Sequence, residues 1–183
     1  MNKKIYLILL LIIPFTTFGQ LSEPLKEMKS DKNAEFGKYQ SLVFDATKYI
    51  FNNPVDVKSK EFISATQIVG FWMNKDTGMN IPTFGKFFST LTNENQQQFL
   101  YTAAMMNYGL DQKINHSRIL KCVKIDGQKY SEQEDVKEVQ LEGAKILLEY
   151  VGNKKNNVPM TSKTKKYWKA SKKNKLNKIF FKD

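Results

Sequence analysis

Two side chains in this sequence have the chemistry of a nucleophile and its base. His116, in Asn115-His116-Ser117, is the only imidazole, and Cys122 is the only thiol. A nucleophilic pair requires the base within hydrogen-bond reach of the nucleophile and a third group to orient it. A separation of six residues is off the same-face spacing of a helix, and neither residue stands in a catalytic signature. The competing reading is an exposed histidine and a buried small hydrophobe. A single His and a single Cys also cannot assemble a His/Cys zinc cage or an intrachain disulfide.

Carboxylates offer a second chemistry. Glu132, Glu134, Asp135, Glu138, Glu142 and Glu149 crowd one segment, and Glu134, Glu138 and Glu142 are spaced to share one face of a helix. Such a ladder supplies paired carboxylates or part of a cation site, but a hard cation needs further oxygen ligands from elsewhere. Acids early in a helix also complement its dipole, and Lys137 and Lys145 intervene around the same cylinder. A solvated face is therefore the expectation. Asn74-Lys75-Asp76-Thr77-Gly78-Met79-Asn80 resembles a calcium loop only superficially, since its glycine falls one position early and Gly85 stands where the bidentate glutamate belongs. No Gly-x-Gly-x-x-Gly or Gly-Lys-Ser/Thr loop occurs. The sequence assigns no catalytic residue, metal or cofactor.

The third chemistry is electrostatic. Lys and Arg number 29 against 18 Asp and Glu, a formal charge of +11. Eleven of the lysines lie in residues 154–183 against one acid, whereas residues 21–153 hold 16 bases and 17 acids. The near-neutral middle argues against a nucleic-acid-binding domain. In the C-terminal segment lysines interleave with Tyr167, Trp168, Leu176, Ile179, Phe180 and Phe181. On a helix Trp168, Leu176, Ile179 and Phe180 share a side, interrupted by Lys172. One reading is a cationic, weakly amphipathic segment held against anionic lipid or glycan phosphate. It would use Lys163, Lys165, Lys166, Trp168, Lys169, Lys172, Lys173, Lys175, Ile179 and Phe180, with Lys178 and Lys182 adding charge. The other reading docks the aromatics on the domain and leaves the lysines to solvent.

The densest aromatic region is split by Met79-Asn80-Ile81-Pro82. Aromatics at helical spacing are ordinarily core. An opening between the two clusters, bordered by Phe71, Trp72, Phe84 and Phe88, would be the place for an apolar ligand or protein partner.

The elements that must position these groups are helical. Asn2-Lys3-Lys4, the apolar run Ile5 to Phe15 and the triplet Thr17-Phe18-Gly19 have the layout of a secretory signal peptide over residues 1–19. The apolar run is shorter than the ~20 residues a spanning helix needs, so cleavage before Gln20 should leave no transmembrane anchor and a periplasmic or secreted chain. In that oxidising setting Cys122 is expected to be buried. Apolar positions from Phe36 to Ile50 recur at three and four until Asn52-Asn53-Pro54 stops them. A second stripe runs from Phe62 to Met73 after a Ser59 cap. Pro82 opens a short helix through Phe84, Phe87, Phe88 and Leu91, and Thr92 caps a longer one that carries Phe99 to Leu110, with Gly109 near its end. Residues 114–125 are read as helix, with a short strand ending at Asp126-Gly127 as the alternative. Ser131 and Glu134 form a capping box for a helix carrying Val136 to Tyr150 that ends at Gly152. Residues 153–159 read as a polar linker, and Ser162 caps a terminal helix.

The expectation is an all-α chain, an irregular helical bundle of five or six helices over residues 20–152, with linker and basic tail over residues 153–183. Trp72, Phe99 and Leu147 are expected in its core. The leader ending Phe18-Gly19-Gln20, then Ile50-x-x-Asn53-Pro54, Ala65 with Trp72-Met73, and Tyr101 through Met105, Met106 and Tyr108, resemble small uncharacterised exported helical proteins of the Bacteroidota type over roughly residues 1–150. The resemblance implies a fold and an export route, and no activity. The function expected is a non-enzymatic interaction protein, with a helical domain for a protein or apolar partner and a basic tail for an anionic surface. The alternatives are an envelope hydrolase built on a carboxylate pair and an immunity or inhibitor protein for an exported partner.

Overall fold

Pro54 marks where the first long helix ends, because the residue before a proline disfavours helical geometry, and Asn53 is extended there. The computed structural model describes residues 21–32, 35–94 and 96–181. The expected leader, the cleavage before Gln20, and Lys182 lie outside the described residues. Among these residues there are α-helices, 3₁₀ turns and loops, and no strand. The helices are α1 Ser22–Ser30, α2 Gln40–Asn52, α3 Lys60–Met73, α4 Gly85–Ser89, α5 Gln97–His116, α6 Glu134–Gly152, α7 Ser162–Ser171 and α8 Leu176–Phe180. None is long and apolar enough to cross a membrane.

The central pair is α5 against α6, with α2 packing on α3 and α5, α1 on α3, and α7 on α6 and α8. Small residues allow this closeness. Ala46, Ala103, Ala104 and Ala144 are fully buried. A Cβ at Gly143 of α6 would stand 2.5 Å from Met105 Cγ and 3.0 Å from the Met105 backbone nitrogen in α5. The two helix backbones therefore meet where any larger residue would overpack. Tyr101 of α5 also donates its hydroxyl proton to the Gln140 carbonyl of α6 at 2.8 Å.

Several expectations stand, and several are corrected. Ser59 caps α3, its hydroxyl accepting from the Phe62 amide at 3.2 Å. Trp72 and Leu147 are buried, but Phe99 is only half-buried, since the neighbouring Leu100 and Tyr101 take the inward positions of α5. Pro82 lies before α4 rather than opening it; Phe84 is the N-cap. Thr92 does not cap α5 with its side chain. Its carbonyl accepts from the Gln97 amide, and the helix starts after Gln96, which is left-handed at φ 55°. The α5 helix runs past Gly109 to His116. Ser131 forms no capping box: it sits in a 3₁₀ turn, Tyr130–Glu132, and Gln133 is the N-cap of α6. Thr161, not Ser162, caps α7, accepting from the Thr164 amide at 3.1 Å. Beyond His116, residues 117–129 are neither helix nor strand. The α1 helix was not foreseen.

Candidate functional site

His116 and Cys122 are not partners. The imidazole Nε2 lies 3.4 Å from Asp111 on the exposed side of α5. The thiol is buried and directed at the Asp135 carbonyl, 3.8 Å away. Burial, aided by the Asp135 and Glu138 carboxylates, pushes the Cys122 pKa up to about 11. A thiol so held is a poor nucleophile, which matches the expected buried small hydrophobe.

Asp135, Glu138 and Glu142 of α6 are engaged in pairing. Glu138 receives both arms of Arg118, at 2.5 and 2.6 Å, and the Tyr108 hydroxyl at 2.5 Å. Glu142 pairs with Lys145. Among the described residues no group of three His, Cys, Asp or Glu is arranged to hold a metal ion. The Arg118 hydrogen bonds hold the Glu138 carboxyl below its ordinary range, outweighing the opposing effect of burial, with Tyr108 assisting. A carboxylate whose folded pKa is depressed adds stability that is complete above its unfolded pKa and is lost as pH falls through the folded value. Glu138→Gln is therefore expected to unfold more easily than the parent at neutral pH, with the gap closing as pH drops below the ordinary glutamate range. Urea midpoints measured across the acid limb check this, and a gap independent of pH would contradict it.

Trp72 and Phe84, from the two aromatic clusters, line different cavities. Trp72 is buried, its indole donating to the Phe36 carbonyl at 2.8 Å, and Phe71 packs on Phe36 at 6.0 Å between ring centres. Phe84 turns to Tyr130 at 5.4 Å, and Phe88 to Tyr101 at 6.3 Å. Trp72 contributes to a crevice of about 310 Å³ with Met79 and Thr102. Phe84 lines a separate cavity of about 350 Å³ with Phe87, Phe180, Lys129 and Lys137. α5 contributes buried residues to both places, Met106 beside Trp72 and Tyr101 against Phe87 and Phe88. The 350 Å³ cavity holds one carboxylate, Glu132, and a more polar one of about 570 Å³ holds one, Glu149. Glycosidase chemistry by a carboxylate pair needs two, separated by about 5–9.5 Å across a cleft.

The C-terminal segment belongs to the same hydrophobic core as the rest. Tyr167, Leu176 and Phe180 are buried, and Trp168 and Ile179 pack against the core. Phe87 of α4 is the meeting point, with Tyr101, Tyr167 and Phe180 at 5.0, 4.9 and 5.1 Å. The segment is not one helix. Asn174, left-handed at φ 52°, separates α7 from α8 and lets Phe180 fold back beside Tyr167. Buried polar groups fasten it. Gln97, with no exposed surface, donates to the Pro159 carbonyl at 2.6 Å and accepts from Thr164 at 3.2 Å. The expected linker is fastened too: the Asn156 carbonyl accepts from the Val55 amide, and its side chain donates to the Tyr150 carbonyl. Gly152 ends α6 as a contact, since a Cβ there would lie 2.2 Å from the Trp168 indole nitrogen.

Docking the aromatics sorts the lysines outward. In α7 the inward side carries Thr164 and Tyr167, and helical spacing puts Lys165, Lys166 and Lys169 on the opposite side, while Lys172 and Lys173 follow in the turn after the helix. Those five, with Lys163, Lys175 and Lys178, are exposed, and none is ion-paired to an acid among the described residues. Of the residues expected to contact an anionic surface, the lysines lie on an outer face. Trp168, Ile179 and Phe180 lie on the core side.

Sequence reasoning passed over a second exposed feature. In residues 117–129, Leu120 packs on the core and Cys122 is buried, while Ile119, Val123 and Ile125 are 66%, 46% and 45% exposed. The two inward residues, Leu120 and Cys122, leave their neighbours Ile119, Lys121 and Val123 in solvent. The same residues carry the sequence expectation, Ile119, Leu120 and Val123 suiting a helix and Cys122, Val123 and Ile125 a short strand, and neither forms there. The chain matches no family model, no curated protein and no solved structure.

Proposed function

We propose that this chain is an exported, non-enzymatic interaction protein, an irregular helical bundle that binds a polyanionic surface through the outer lysines of α7 and its flanks. The observation that carries this is the set Lys165, Lys166 and Lys169 on α7 and Lys172 and Lys173 in the turn after it, exposed and without an ion-pair partner among the described residues, with the other side of the helix anchored by Tyr167. Like charges held on one fixed face repel one another. A phosphate-bearing surface relieves that repulsion and releases its own counterions. Lysine ammonium groups act as point charges, so recognition is diffuse rather than bidentate. The leader-like residues 1–19 support export to where lipid or glycan phosphate is met. The pairing of Asp135, Glu138 and Glu142 and the single carboxylate in each of the two cavities above favour this reading over a carboxylate-pair hydrolase. An immunity or inhibitor role would use the same protein with a macromolecular partner in place of the surface.

The test neutralises charge without touching the docked side. Lys165→Gln, Lys166→Gln, Lys169→Gln and Lys173→Gln combined should leave the melting temperature within a few degrees of the parent, because exposed charges contribute little to stability. Binding to polyphosphate should fall at least about tenfold at low salt, and the parent's own binding should weaken steeply as salt rises. Binding that survives all four substitutions would remove the lysine face as the site.

A further inference from the structure

We propose that residues 117–129 form a lipid-insertion loop, in which Ile119, Val123 and Ile125 enter the interfacial layer of an anionic bilayer while Lys121 and Lys124 contact its phosphates. The inference rests on the anionic target proposed above and names lipid as its source. Tail aromatics were the expected apolar anchors, but Phe180 is buried in the core and Trp168 and Ile179 pack against it. Phe181 is the exposed aromatic of the tail at 41%, and of the exposed aliphatic side chains among the described residues Ile119, Val123 and Ile125 fall within seven residues of this loop, whereas Val57, Ile63 and Ile114 stand apart.

The loop is held in a defined shape. Arg118 grips Glu138 at its start with two hydrogen bonds. The Lys121 amide donates to the Asp135 carboxylate at 2.7 Å, and Tyr130 donates to the Cys122 carbonyl at 3.0 Å. At the tip the Gln128 amide bonds back to the Ile125 carbonyl at 3.1 Å, a turn that needs Gly127 at φ 78°. These contacts fix the backbone and leave Ile119, Val123 and Ile125 outside. A segment that only needed to connect α5 to α6 could carry polar residues at these positions.

Charge and composition select the occupant. Residues 117–129 contain Arg118, Lys121, Lys124 and Lys129 against one acid, Asp126. Arg118 is committed to Glu138, and Lys129 pairs with Glu132. Lys121 and Lys124 are exposed, with no ion-pair partner among the described residues. Protein interfaces centre on aromatic and arginine anchors and are depleted in lysine. Aliphatic side chains alternating with free lysines suit a bilayer boundary, where methyl groups enter the acyl region and ammonium groups stay at the headgroups.

The experiment uses the mature chain with mixed phosphatidylglycerol and phosphatidylcholine vesicles, and with soluble polyphosphate. Ile119→Ser, Val123→Ser and Ile125→Ser combined should lower vesicle partitioning about tenfold or more, because apolar burial is the part removed. Polyphosphate binding should be unchanged, and circular dichroism should match the parent since all three side chains are exposed. As a second readout, Val123→Trp should be quenched by brominated lipid. Vesicle binding by the triple variant equal to the parent's, absence of vesicle binding by the parent, or an unquenched tryptophan would each overturn the inference. The first two results would leave the apolar tip to a protein partner. Because the lysine-face variant is read on polyphosphate, failure there with the loop effect intact would sink the proposed function alone.

Discussion

A chain ending at Asn157 is expected to lose most of its stability, because the segment removed has its aromatics docked on the core, one of the two readings its sequence offered. The deletion takes away Tyr167, Leu176 and Phe180, all buried. Burying each such side chain is worth about 1.5–3 kcal/mol, partly offset by the entropy no longer lost in ordering the segment. It also uncovers Phe87 and Tyr101, and it removes the Pro159 carbonyl and Thr164 hydroxyl that are the hydrogen-bond partners of the Gln97 amide. Whole domains are stable by only about 5–15 kcal/mol. The melting temperature of the truncated chain should therefore fall by about 10 °C or more, or the chain should be recovered aggregated. Truncation cannot then serve as the test of polyanion binding, and the lysine-to-glutamine variant is the proper comparison. An unchanged melting temperature after truncation would show that α7 and α8 do not support the core.

Trp72→Ala should be the most damaging single substitution on the other side of the molecule. The side chain is 1% exposed, and its indole proton goes to the Phe36 carbonyl at 2.8 Å, tying α3 to the 3₁₀ turn that leads into α2. Removing a fully buried tryptophan leaves a large cavity, and such changes cost about 3–5 kcal/mol. Trp72→Phe keeps much of the ring and deletes only the donor, so it should cost about 1 kcal/mol from the hydrogen bond and a smaller share of packing. Urea unfolding of both variants separates the two contributions. Equal losses would mean that the hydrogen bond, and not the ring volume, holds the turn in place.

What could be read from the sequence was what depends on neighbours in the chain. The Ser59 cap and the Asn52-Asn53-Pro54 stop act within one turn of backbone, and both are where the pattern put them. The 3.6-residue period of α6 was legible for the same reason. The α1 helix escaped because it buries only Leu25 and Met28 in nine residues, too little for a stripe to show. Ser131 and Glu134 had capping-box spacing, yet a 3₁₀ turn lies over Tyr130–Glu132 and the helix starts after Gln133, with Tyr130 held by Phe84, far along the chain, and by the Cys122 carbonyl. The candidate site was legible only in half. Lysine density is composition, but which side of the helix the lysines occupy depended on whether Tyr167 and Phe180 had a surface to meet. That surface is Phe87 and Tyr101, more than sixty residues away. The exposed loop was the reverse case, its hydrophobicity evident and its lack of a covering partner invisible.

The single thiol has a consequence for following this protein's motions. Cys122 is sealed by its own segment, with the Asp135 carbonyl at its sulfur and the Tyr130 hydroxyl on its carbonyl. With a pKa of about 11, about one thiol in a thousand is ionised near pH 8, and that thiolate is also shielded from reagent. Alkylation therefore waits for residues 117–130 to lift off α6. Its rate is a clock for that opening, and disulfide-linked dimers, which only such opened chains can form, become a chemical record of how often the loop leaves its seat.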